Sequence, residues 1–226
     1  MKYLSLYQLV LASTVLALGF DLLKSQSAQA VSFFTDFAAF DAITTTTLVE
    51  DFEAFSPKDR PLSSFVSNGN TYTGISSGRR SPNVAVGSPG YRNFGVPVTN
   101  SSVLAANGDE NFKIDFGTPA EAVGFDTYLN AYGPATVQVF GTNGLLDTFI
   151  LQHDPTTVGF LGMASSDLIT SIQWTTVRGG VVNTGIDNIR LGEIDSSTIP
   201  EPTSLLSLLV LGVLGGGSFL KRRSQE

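Results

Sequence analysis

Residues 31–197 are predicted to fold as an all-β domain, an antiparallel β-sandwich. Three observations carry this. Strand-like segments follow one another closely after Thr46, with Gly-rich punctuation at intervals of about 8–14 residues. Asn143-Gly144 lies between two of these segments, and that dipeptide favours a two-residue hairpin turn. No helical segment separates the later strands, as the crossovers of a parallel sheet would require.

Taken in order, residues 1–30 read as an export signal. Lys2 is the only charge before Asp21, Leu4 to Phe20 is apolar apart from isolated polar residues, and Ala28-Gln29-Ala30 is a small-x-small cleavage site. This is the pattern of a signal helix cut after Ala30 by signal peptidase. Asp21 and Lys24 lengthen the polar stretch before the cut, and an uncleaved N-terminal anchor is the alternative. Ser32 to Thr44 is the one helical-looking piece that follows, with Thr35 or Asp36 as cap and Phe37, Phe40 and Ile43 on one face. Thr46 to Glu53 is β-rich, Ser56 to Arg60 is a polar turn, and Thr71 to Ile75 is a short strand. Ser76 to Asn100, rich in Gly, Ser, Asn and Pro, reads as a long loop, functional or mobile. Asn111 to Phe116 alternates, with Phe112, Ile114 and Phe116 inward. Further strands are expected at Ala122–Leu129, Thr136–Thr142, Leu145–Gln152, Thr157–Met163, Leu168–Val177 and Val181–Leu191.

The composition narrows the function. Residues 31–197 hold 17 acidic and 8 basic residues, a net charge of −9. Nucleic acid is an unsuitable partner, because phosphate binding needs a clustered basic patch and only Arg79-Arg80 approach one. There is no cysteine, which excludes disulfides, thiolate catalysis and Cys-ligated metal.

Residues 198–226 form a three-part tail. Pro200-Glu201-Pro202 is extended and lacks two backbone donors. Thr203 to Leu220 is 18 residues without charge, a transmembrane helix candidate reaching roughly 27 Å. Lys221-Arg222-Arg223 follow and favour a cytoplasmic end. A permanent membrane anchor with a proline-rich collar is one account. The ordered triple, from Pro200 to Arg223, also resembles the PEP-CTERM sorting signal of Gram-negative bacteria and cyanobacteria. That resemblance implies recognition by an exosortase, transient residence in the inner membrane, removal of the apolar tail, and release or attachment at the cell surface. It also implies association with exopolysaccharide or biofilm matrix. The order of the hydrophobic segments, among them Ala122-Val123-Gly124-Phe125-Asp126 and Gly185-Ile186-Asp187-Asn188-Ile189, resembles the jelly-roll or lectin-like sandwiches found ahead of such tails.

Candidate sites are few. Gly74-Ile75-Ser76-Ser77-Gly78 matches a nucleophile-elbow pattern, but Arg79 to Asn83 cannot start the helix the motif needs, and His153, the sole histidine, sits in a turn. No catalytic residue is assigned. A glycan hydrolase would need two carboxylates across a cleft, and Glu50, Asp51, Glu53, Asp115 and Asp126 are available. Calcium is the more plausible use of the acids: if the first and last strands lie together, Glu50, Asp51 and Glu53 approach Asp187 and Asn188. For sugar stacking, the aromatics in or near loops, Tyr91, Phe94, Tyr128 and Tyr132, are the candidates, whereas Trp174 belongs in the core. The reading is an exported surface or matrix protein with a non-enzymatic binding or structural domain. An extracellular glycan or ester hydrolase is the alternative.

Overall fold

The computed structural model of the protein describes residues 31–78, 81–91, 99–129, 133–176 and 184–195. Eleven strands and one short helix are described: β1 (Ser32–Phe34), α1 (Phe37–Asp41), β2 (Thr44–Glu50), β3 (Ser64–Ser67), β4 (Asn70–Ile75), β5 (Asn83–Gly87), β6 (Val103–Asn107), β7 (Asn111–Tyr128), β8 (Ala135–Gly141), β9 (Gly144–Leu151), β10 (Gly159–Thr176) and β11 (Gly185–Ile194). All their pairings are antiparallel. The all-β expectation holds.

Two strands of 18 residues, β7 and β10, organise the sheet. They pair with each other along both their halves, with register shifts between Ala164 and Ser171. Their facing halves, around Phe112 and Trp174, lie between β4 on one side and β8 on the other. Their other halves, around Phe125 and Leu161, lie between β11 and β1. Each long strand thus serves two neighbourhoods, and the continuous sheet folds over one core. That core holds Phe112, Ile114, Val123, Phe125, Leu161 and Trp174, all buried. The alternation expected over Asn111 to Phe116 is present: Phe112, Ile114 and Phe116 are buried while Lys113 and Asp115 are half-exposed.

Several expectations need correction. Ser32 to Phe34 is a strand rather than helix, because its backbone pairs with β10 and the Phe33 ring stacks on Phe149 at 4.7 Å. The helix that follows is five residues long, capped by the Asp36 carboxylate, which accepts from Ala39 N at 2.8 Å. The strand expected over Thr46–Glu53 stops at Glu50: Phe52 takes φ 57°, which turns the chain and drops its ring onto Tyr72 at 5.4 Å. The long loop expected from Ser76 contains β5, whose Val84, Ala85 and Val86 are buried. The hairpin at Asn143-Gly144 is present but shifted by one: Gly141 pairs with Gly144, leaving Thr142 and Asn143 at the turn, and Gly144 takes φ 118°.

Helix α1 covers the outer side of β7 and β10. The Phe40 ring, 1% exposed, packs on Ala122 and Phe160 over Gly124 and Gly162. A Cβ at Gly162 would sit 2.8 Å from Phe40 Cγ and 3.0 Å from Phe160 Cε1. Gly162→Ala is therefore expected to lift the helix and destabilise the domain by about 1–2 kcal/mol, read from its urea midpoint. A neutral effect would mean that α1 is not firmly seated.

Among the described residues no helix is long and apolar enough to cross a membrane. The signal helix expected over residues 1–30, with Ala28 and Ala30, lies outside the described residues. So does the tail carrying Pro200, Glu201, Pro202, the expected transmembrane helix and Lys221, Arg222 and Arg223.

Candidate functional site

The first and last long strands do lie together, with Glu50 in register with Ile189 of β11. This separates the acids of the sequence-derived calcium set. Glu50 is 2% exposed, on the core side near Tyr72, and its Oε1 accepts from Phe52 N at 2.9 Å. Asp51 is exposed and caps Glu53 N at 3.1 Å. Glu53 turns to Ser102, accepting from its N at 2.7 Å and its Oγ at 2.9 Å, and Lys58 Nζ stands 3.3 Å away. The Ser102 backbone and hydroxyl, and then Lys58, hold the Glu53 carboxyl below its ordinary value.

Asp187 follows a different course. It is fully buried and directly opposite Asp126 across β11 and β7. Burial pushes its carboxyl up to about 6, reinforced by Asp126 and Glu53, while hydrogen bonds from Ser101 and Asn188 N oppose the rise. The strand bulges here, and Asn188 takes φ 50°. Asn188 Nδ2 donates to Asp126 at 2.8 Å, and Arg190 stands 3.6 Å from the other Asp126 oxygen. Glu53, Asp187 and Asn188 are thus neighbours, whereas Glu50 and Asp51 point away. Backbone N–H groups, serines and cations already occupy the carboxylates. Among the described residues no group of three or more His, Cys, Asp or Glu side chains is placed to hold a metal ion.

Of the aromatic candidates, Tyr91 and Tyr128 pack in one small cluster with Val103 and Ala105. The Tyr91 ring lies over Gly87, where a Cβ would come within 2.6 Å of its Cδ2. Tyr128 is 6% exposed, and burial pushes its phenol up to about 12, helped by Asp187 and Asp126. It offers no open face for a sugar, which corrects its reading as a stacking candidate. Phe94 and Tyr132 lie outside the described residues. Trp174 is fully buried.

The nucleophile-elbow residues do not meet. Ser76 Oγ donates to Asp109 at 3.2 Å. His153 bonds Thr127 Oγ1 through Nε2 and the Asp154 carbonyl through Nδ1, each at 2.9 Å.

A cleft of about 630 Å³ lies at the other end of β11, and the sequence had not pointed to it. One wall comes from the β3–β4 hairpin. Asn68 and Gly69 take φ 45° and 80°, the conformation of a two-residue primed turn. The turn docks on the bend of β7: a Cβ on Gly117 would overlap the Gly69 carbonyl, and Asn70 Oδ1 accepts from Gly117 N at 3.2 Å. The other wall is the end of β11 against β2. Thr47 Oγ1 donates to the Leu191 carbonyl at 3.1 Å, and Glu121 Oε2 accepts from Ile194 N at 3.0 Å. Leu48, Pro119, Leu168 and Leu191 give apolar surface. Asn68, Asn70, Thr118, Glu121 and Glu193 give hydroxyl, amide and carboxylate groups. Size and chemistry suit a small polar ligand with an apolar face. The signals available in the sequence were Asn68-Gly69, a hairpin dipeptide, and Gly117-Thr118-Pro119, an interruption within an apolar strand.

No family model and no curated protein matches the chain. Among solved structures it is similar to a mutant family 29 carbohydrate-binding module studied for ligand recognition. Identity is 9%, the match covers 76% of this chain and 99% of that one, and the TM-score is 0.28. A likeness at that level supports no assignment of ligand or site.

Proposed function

We propose that the protein is an exported cell-surface or matrix component whose jelly-roll-like sandwich binds saccharide without catalysis. The cleft between the β3–β4 hairpin and the end of β11 carries this reading. Its apolar surface suits the C–H face of a sugar ring, and its amide, hydroxyl and carboxylate groups suit ring hydroxyls. The residues that a Ser–His hydrolase would need, Ser76 and His153, are each engaged elsewhere. A glycan array probed with the full chain, with and without calcium, tests the binding reading. Binding in either condition that is lost in Thr118→Trp, which fills the cleft from an exposed position, is the expected result. Binding to no glycan in either condition would leave a structural role.

The address belongs to the same proposal. Pro200-Glu201-Pro202, the apolar run and the basic terminus are proposed as an exosortase signal, and residues 1–30 as a signal for signal peptidase. The intact mass of the protein recovered from its native host is expected to lack residues 1–30 and the Leu205–Leu220 run. Retention of Leu205–Leu220 would replace sorting with permanent anchoring.

A further inference from the structure

From the turn that joins β9 to β10, we infer that the protein cuts its own backbone at the Asp154–Pro155 bond. The Asp154 carboxylate is the nucleophile, and His153 and Thr157 are the donors that polarise the scissile carbonyl.

The carbonyl oxygen of Asp154 collects three donors. Thr157 N lies 3.1 Å away, Thr157 Oγ1 2.9 Å and His153 Nδ1 2.9 Å. The first closes an ordinary four-residue turn, and the other two are additional to it. A carbonyl oxygen only accepts, so Nδ1 carries the proton. The fold fixes this ring. His153 Nε2 bonds the hydroxyl of Thr127, a buried residue of β7, at 2.9 Å. The ring lies on Gly159, where a Cβ would come within 2.5 Å of its Cδ2 and Nε2. Donors aimed at a carbonyl oxygen stabilise the negative charge that gathers there when its carbon is attacked.

The nucleophile is tethered to that carbon. Asp154 is exposed, and its Oδ1 accepts from Thr156 N at 2.9 Å and from Thr156 Oγ1 at 2.7 Å. These bonds leave Oδ2 for attack. The Thr156 hydroxyl and backbone, and then His153, hold the carboxyl below its ordinary value, which keeps it ionised into mildly acidic solution.

Proline decides which reaction follows. At other aspartates the next backbone nitrogen can lose its proton and close on the side chain. Pro155 has no N–H, so that ring closure is shut. The opposite closure remains. Asp154 Oδ2 attacks the backbone carbonyl carbon of its own residue, a C–O bond forms, and the C–N bond to Pro155 breaks. The electron pair leaves on the Pro155 nitrogen, which takes a proton from solvent and becomes a secondary amine. One water then opens the five-membered anhydride to the Asp154 side-chain carboxyl and a new C-terminal carboxyl. The net change is hydrolysis of one peptide bond. Nucleophile and carbon share a residue, so no encounter has to be arranged. Both new ends lie in the turn, and β9 and β10 each stay paired with β8. The nicked molecule therefore stays assembled, and the cut shows only under denaturing conditions.

The test is incubation of the purified, detergent-solubilised full chain at mildly acidic pH with protease inhibitors, followed by its mass under denaturing conditions. Fragments ending at Asp154 and beginning at Pro155 are expected, formed at least about tenfold faster than from the same chain held unfolded in urea. His153→Gln and Thr157→Val should each slow the cut by about tenfold. Thr157 is exposed and its valine variant keeps the backbone donor, so that variant decides if His153→Gln disturbs the turn. Asp154→Glu keeps the charge but needs a six-membered ring, and it should abolish the cut. Equal rates in the folded and unfolded chains would reduce the cut to the acid lability of any Asp–Pro bond and overturn the inference. A folded chain that stays intact would overturn it too. Cutting of the Asp154→Glu variant at the wild-type rate would assign the cut to a contaminating protease, with the same consequence.

Discussion

Trp174→Ala is expected to destabilise the domain by about 3–5 kcal/mol. Its indole is fully buried and stacks on Phe112 at 5.5 Å, with an interplanar angle of 15°, and Phe125 lies at 6.5 Å. Its backbone is in register with Phe112 of β7 and Val137 of β8, so both neighbouring strands hold the walls of the cavity that truncation would leave. Those walls cannot collapse without breaking two ladders. Trp174→Phe is expected to lose less than half as much. It keeps the ring stacking, and it removes an indole Nε1 that has no hydrogen-bond partner. Urea denaturation followed by far-ultraviolet circular dichroism measures both, since Trp174 is the only tryptophan and fluorescence would disappear with it. A loss below about 1 kcal/mol for the alanine variant would contradict the burial described.

Asp187→Asn is expected to stabilise the protein at neutral pH, and the gain should depend on pH. The carboxyl titrates near 3.8 when unfolded and at about 6 when folded. Between those values the native state holds the proton more tightly than the unfolded chain does. Stability therefore falls as pH rises from about 4 to 6, and the penalty persists above 6. Two pKa units bound that penalty at roughly 2–3 kcal/mol. Asparagine keeps an oxygen for Asn188 N and a polar group for Ser101 but carries no charge to desolvate. Urea midpoints of wild type and variant should coincide within error near pH 4 and separate by pH 7.5, with the variant higher. A gap that stays constant across that range would mean that the Asp187 charge is not the destabilising element.

The strands were legible because their burial obeys a period of two, as at Phe112, Ile114 and Phe116. Continuity was harder to read. Gly117 to Pro119 and Ser165 to Leu168 look like turns, yet the chain passes through them as bends within β7 and β10. The register between β7 and β10 is interrupted at these segments, and what carries the strands through is pairing of the residues that flank them, such as Ala120 with Ile169, a contact between residues some fifty apart that no local pattern displays. Phe52 shows the same limit. Its ring is buried, but the left-handed backbone that puts it there ended the strand and sent Asp51 and Glu53 in separate directions.

The candidate site was less legible than the fold. Proximity of Glu53 to Asp187 follows from pairing β2 with β11, which the sequence raised only as a condition carried over from jelly-roll sandwiches. The cleft depends on three distant pieces, a hairpin turn at Asn68-Gly69, a bend at Gly117 and the end of β11. Each piece is individually ordinary, and only the docking of Gly69 on Gly117 makes them one surface.

The most direct test of the binding account is where a bound saccharide touches the protein. Amide chemical-shift mapping of the ¹⁵N-labelled chain, titrated with an array-positive glycan, provides it. Shifts concentrated at Asn68 to Asn70, Thr118 to Glu121 and Gly192 to Ile194 are the predicted result. Shifts confined to Tyr91, Ser101, Ser102 and Asp187, with the cleft unmoved, would contradict it.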